Sequence, residues 1–209
     1  MFGKEGHDQQ AAISSILGSD CKFTGDVDAK GTIRIDGEFE GKIFSSDSVI
    51  VGKSGTVLGE IRAAHAVVSG TVEGNVFAKR KVELESGSRL IGDVESMSLV
   101  IEDGVFFEGK ILSSDSVIVG KSGTVHGEIR AAHAVVSGTV EGNVFAKRKV
   151  ELESGSRLIG DVESMSLVIE DGVFFEGKSK MMKEGQAFTE KPAVFQSMEE
   201  EEQEVEVQD

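Results

Sequence analysis

Tryptophan and tyrosine are absent from this chain, and proline and cysteine occur once each, as Pro192 and Cys21. A single cysteine excludes an intramolecular disulfide and suits a reducing compartment. With one proline, almost nothing interrupts a ladder of backbone hydrogen bonds. No apolar run approaches the roughly 18–20 residues of a membrane-crossing helix. No charged segment, apolar core and cleavage site form a secretory signal. The expected location is therefore cytoplasmic. Positive charge is scarce too: 22 Lys and Arg stand against 37 Asp and Glu, a net charge of −15. That balance argues against a dedicated nucleic-acid binder.

What the chain has is repetition. Residues 43–110 are written out again as 111–178, with Phe44 replaced by Leu112 and Leu58 by His126. The copies abut with no linker. A duplicated globular domain needs a spacer, whereas an open-ended stack simply continues, so the arrangement predicts a solenoid. A shorter period runs inside the unit. The pattern apolar-x-Gly-x-apolar recurs as FTGDV (23–27), FEGKI (39–43), VLGEI (57–61), VEGNV (72–76) and LIGDV (90–94), and again in the second copy. Its glycines run from Gly25 to Gly177 at spacings of 16, 18, 15, 18, 17, 18, 15, 18 and 17.

A turn of about 17 residues is too short for the helix pairs of most repeat proteins. It suits three short strands with bends between them, one coil of a β-helix. The expected fold is all-β: a single-stranded parallel β-helix of about ten turns over residues 23–178. Between the glycines, pairs such as Val49 and Val51, Val82 and Leu84, and Leu99 and Ile101 alternate with polar residues, sending one set of side chains inward and the other outward. The columns two residues before and after each glycine hold only Phe, Val, Leu and Ile through turn after turn, as a continuous core requires, until Ser179 follows Gly177 and marks the end of the pattern. Charged residues between them, such as Glu60, Glu73 and Asp93, are expected outside. Nine spacings of a strand ladder give a rod of about 43 Å.

Such a rod exposes unpaired strand edges and the cut face of an apolar core at each end. Natural solenoids cover these with polar capping units, and none is evident here. The last turn closes on the apolar stretch GVFFEG (172–177). Phe174 and Phe175 are therefore expected at one terminal surface and Phe23 at the other, where they invite end-to-end stacking. Residues 1–22 read as a disordered leader. Residues 179–209, with nine acidic and three basic residues, read as a disordered acidic tail with a candidate docking segment at 188–195.

Little points to catalysis. His65 and His133 are equivalent positions four turns apart, about 19 Å, too far to share a metal. His126 replaces a Leu of the first copy. No nucleophile sits beside a base, and GKSG at 52–55 and 120–123 lacks the spacing of a phosphate loop. No cofactor or metal is expected. The basic triplets Lys79, Arg80, Lys81 and Lys147, Arg148, Lys149 are the only positive clusters and form candidate partner-binding sites on one edge.

These residues resemble the bactofilins. The glycine-centred markers, VVSGTVEGNV (67–76), VEL (82–84) and the closing FFEG carry the resemblance over nearly all of 23–178. The start, Met1, Phe2 and Lys4, looks like the membrane-targeting motif of some members. The resemblance implies a right-handed β-helix that polymerises without nucleotide into apolar filaments through head-to-head and tail-to-tail contacts. It also implies a scaffold for cell-wall or polarity proteins and for cell shape, often on the inner membrane, with Phe175 at the terminal position important for assembly. The second copy departs from the single domain of about six turns that members usually carry. Two other readings stand beside this one: a trimeric β-helical enzyme of the acyltransferase or carbonic-anhydrase type, and a non-polymerising adaptor. The strict six-residue rhythm of the β-helical acyltransferases is not kept by spacings of 15 to 18.

Overall fold

The computed structural model describes residues 13–183. Met1, Phe2 and Lys4, the segment 188–195 and the expectation of disordered termini lie largely or wholly outside that range. Within it all regular structure is β: 21 strands join in one continuous sheet, and neighbours pair in parallel. The sheet winds into a solenoid of about ten coils. Each coil lays one stretch on each of three faces.

The first face opens with Ile13–Leu17, continues with Thr32–Ile35 and Ser48–Val51, and ends with residues 166–169. The second carries mostly three-residue strands, from Lys22–Thr24 through Thr71–Glu73, Arg89–Ile91 and Phe106–Glu108 to Phe174–Glu176. The third runs from Val27–Ala29 to Ser179–Met181. Strand pairing thus extends from Ile13 to Met181, past the boundaries of 23 and 178 expected from the glycine pattern.

Parallel in-register pairing stacks each inward side chain on its equivalent one coil away. Phe39, Val57, Val72, Leu90, Phe107 and Val125 form one such column, each essentially without solvent contact. Burying one of these side chains contributes roughly 1.5–3 kcal/mol. The core is therefore a set of axial ladders, and each coil depends on its two neighbours.

The marker glycines turn the chain between the second and third faces, and all ten have φ between +135° and +153°. Stacking adds a second requirement. A Cβ at Gly59 would lie 2.0 Å from the carbonyl oxygen of Gly41, one coil below. From Gly41 onward no side chain fits in that column, even if the backbone angle were tolerated. The uneven coil lengths are absorbed at the other two corners: residues 69–70 stand opposite 85–88 between the first and second faces, and the corner between the third and first faces varies too. Lys79 and Arg80 stand there opposite the single residue Met97, and the strands on either side keep their register.

Candidate assembly surface at the rod ends

Because residues 94–110 and 162–178 are identical, the same coil occurs twice, once covered by a further coil and once, among the described residues, not. In the covered copy, Val117 and Val119 pair with Leu99 and Ile101, and Val125 pairs with Phe107. Ile101 is 1% exposed and Phe107 fully buried. In the last coil Ile169, the counterpart of Ile101, is 47% exposed. Phe175 rests on Leu158 and is only partly buried, as are Leu167 and Val173. Phe174, 44% exposed, is covered on one side by the Arg157 guanidinium, 4.1 Å from its ring centroid. Exposed Val168 and Met181 complete an apolar surface at this end.

Its margin departs from the repeat. Ser179 pairs with Val162 where Ile111 pairs with Val94 in the first copy. Lys180 makes an ion pair with Glu163. Phe174 and Phe175 thus lie together at the C-terminal end, and Phe23 lies at the other. Phe23 is half-buried and stacked on Phe39, with ring centroids 5.2 Å apart. Beside it Lys22 donates a 2.7 Å hydrogen bond to Glu38, and that bond together with the carboxylate's charge raises the lysine pKa. Ile13, Ile16 and Cys21 are exposed on the same coil.

The basic triplets recur four coils apart. Lys79 and Arg80, like Lys147 and Arg148, occupy the corner, while Lys81 and Lys149 begin the first-face strand and pair with Glu83 and Glu151. His65 lies between Ser48 and Lys81 in the ladder, and His133 between Ser116 and Lys149. His126 approaches Glu141 at 3.9 Å and packs its ring on Phe106. Among the described residues no group of three His, Cys, Asp or Glu could hold a metal ion.

Two features escape the sequence reading. An outward column on the third face alternates apolar and charged residues from Phe44 to Phe145. Arg62 lies between Phe44 and Phe77, with its guanidinium 5.9 and 5.3 Å from their centroids, and Arg130 lies 5.1 Å from Phe145. In the same column Glu95 pairs with Phe77 on one side and Leu112 on the other. It is buried, its Oε1 has no hydrogen-bond partner among the described residues, and burial raises its pKa.

Comparison with known proteins gives this geometry a family. A family model described as polymer-forming cytoskeletal, bactofilin, matches residues 15–112 and again 107–180. Bactofilin BacO of Myxococcus xanthus is 32% identical over 98 residues, covering 47% of this chain and 78% of BacO. Bactofilin BacP of the same organism is 30% identical over 102 residues, covering 49% of this chain and 42% of BacP. The crystal structure of the tapirin C-terminal domain of Caldicellulosiruptor kristjanssonii superposes with a TM-score of 0.55 at 13% identity. It covers 90% of this chain and 58% of that domain, a likeness of fold alone. No helix among the described residues is long and apolar enough to cross a membrane. With two tandem matches to the family model laid over one continuous β-solenoid, the chain belongs to the bactofilins, the polymer-forming cytoskeletal family.

Proposed function

We propose that this chain is a non-enzymatic cytoskeletal scaffold that assembles end to end into filaments without nucleotide. The observation that carries the reading is the difference between the two copies of one coil. Side chains that the internal copy buries are left uncovered by the described residues at the C-terminal end, among them Ile169, Val173 and Phe175. Covering them contributes roughly 25 cal/mol per Å² of apolar surface, and the open strand edges gain hydrogen-bond partners in the same step. Neither contribution needs a hydrolysis reaction. Head-to-head and tail-to-tail contacts, as in the family resemblance, make the filament apolar. Such a filament supports cell shape or localises cell-wall and polarity proteins. Its basic corners (Lys79, Arg80, Lys147 and Arg148) and the leader residues Phe2 and Lys4 serve as contacts to partners and to the inner-membrane surface.

The test is negative-stain electron microscopy of the purified chain with no nucleotide or metal added. Long unbranched filaments are expected. A uniform population of small particles would overturn the reading, and a discrete trimer would favour the enzymatic alternative.

A further inference from the structure

We infer that the 68-residue unit is a length module, and that the assembly surface accepts copies of this chain with a different number of units. The inference rests on the end-to-end reading above.

The junction between the two copies shows why. Coil 116–131 sits on coil 98–113, with Val117 on Leu99, Val125 on Phe107 and Ile129 on Ile111. Its twin, coil 48–63, sits on coil 32–45, of which residues 32–42 precede the repeat, through the same inward residues: Val49 on Ile33, Val57 on Phe39 and Ile61 on Ile43. The two upper coils differ only at Leu58 and His126, whose side chains point outward and stay half-exposed. A coil of this sequence is therefore seated on both supports through the same inward residues, although its corner at 52–55 lies over two residues (36–37) and that at 120–123 over four (102–105).

Removing 43–110 joins Lys42 to Ile111, repeating the Lys–Ile step found at 42–43 and 110–111. Ile111 then meets Val27 as Ile43 does now, and Val125 meets Phe39 as Val57 does. Every inward contact at the new joint already exists in the structure. Six coils remain, and the family-model match to 15–112 spans a rod of that length.

Neither end changes. The first end is made by residues 13–42, which belong to no repeat, and the other by the last coil and Ser179–Met181. Both lie outside the removed segment. The partner that fits each end is thus a second copy matched at its end coils, whatever the number of units between them.

The experiment compares the full chain with the variant lacking 43–110. The variant is expected to form filaments whose axial repeat is shorter by about 19 Å per protomer, four strand spacings. Labelled in two colours and mixed before assembly, the two chains are expected to share single filaments. Separate one-colour filaments, or a variant with an intact β spectrum that does not assemble, would overturn the inference while leaving end-to-end assembly standing. Absence of filaments from the full chain would overturn both. If the six-coil variant does not fold, a variant with a third unit inserted after Lys110 carries the same test. Its repeat is expected to lengthen by about 19 Å with mixing retained, and segregation again overturns the inference.

Discussion

Phe107 and Phe175 are the same residue of the repeated unit, and only Phe107 is enclosed. It lies between Leu90 and Val125 with no solvent contact, whereas Phe175 has Leu158 on one side and no described strand on the other. Arginine at the two positions therefore has opposite consequences. Phe175→Arg is expected to abolish filaments in electron micrographs while the circular dichroism spectrum keeps its β signature. Phe107→Arg is expected to unfold the rod locally, because it buries a charge and forfeits packing for which truncation alone costs about 3–5 kcal/mol. Normal filaments from Phe175→Arg would remove the end surface from the assembly mechanism.

The glycine column makes a graded prediction. At Gly127 an added Cβ would lie 1.8 Å from the Gly109 carbonyl oxygen, while at Gly25, in the first coil, it would meet only the Phe23 ring at 3.6 Å. Both residues have positive φ. Gly25→Ala thus carries only the backbone penalty, roughly 1–3 kcal/mol. Gly127→Ala must also displace backbone, and its thermal midpoint is expected to fall clearly further. Equal losses would mean that stacking plays no part in the choice of glycine.

Glu95 sets a pH dependence. Burial holds its folded pKa above the ordinary carboxylate value. Below the ordinary range the folded and unfolded chains both keep the proton, and burial of the carboxyl group carries no charge penalty. As pH rises, the unfolded chain ionises first, so the penalty grows through the interval between the unfolded and folded pKa values and is complete above the latter. Glu95→Leu, flanked by Phe77 and Leu112, is expected to stabilise the rod by roughly 1–3 kcal/mol at pH 7, with a smaller gain in acid. Chemical denaturation at several pH values measures this. A gain that grows as pH falls would show that charge burial is not its cause.

The leader gives a prediction about lipid. One Phe contributes roughly 1.5–3 kcal/mol on burial, too little to hold a monomer at a membrane, but many copies along a filament act together. Deleting residues 1–8 is expected to abolish co-sedimentation with anionic liposomes and to leave filaments intact. Binding that survives this deletion and is lost in Lys147→Gln/Arg148→Gln would move the contact to the basic corner.

The coil and its core were legible because the sequence repeats the one residue that the corner demands and keeps the inward columns apolar. The ends were less so. Glycine markers report only one corner, so Ile13–Leu17, which lies on a different face ahead of the first marker, carries no such sign. Ser179 looks like a stop, yet a ladder is bonded through its backbone, and pairing continues to Met181 whatever the side chains. Glu95 reads as solvent-facing by alternation. Its burial comes from neighbours 18 residues before and 17 after, which no local pattern reveals. The stacking of Arg62 between two phenyl rings has the same long-range origin.

The near-identity of the two units also bears on how the chain finds its register. Coils 48–63 and 116–131 compete for the same seat on coil 32–45, since their inward residues are identical. Seating the later coil first would loop out 68 residues and still build a sound stack, so little in the local energetics penalises the error. Synthesis from the N-terminus resolves the competition in time: the earlier coil emerges first and is seated before its rival exists. A chain refolded from denaturant has no such clock, and it is expected to yield a population of rods four coils short beside the ten-coil product.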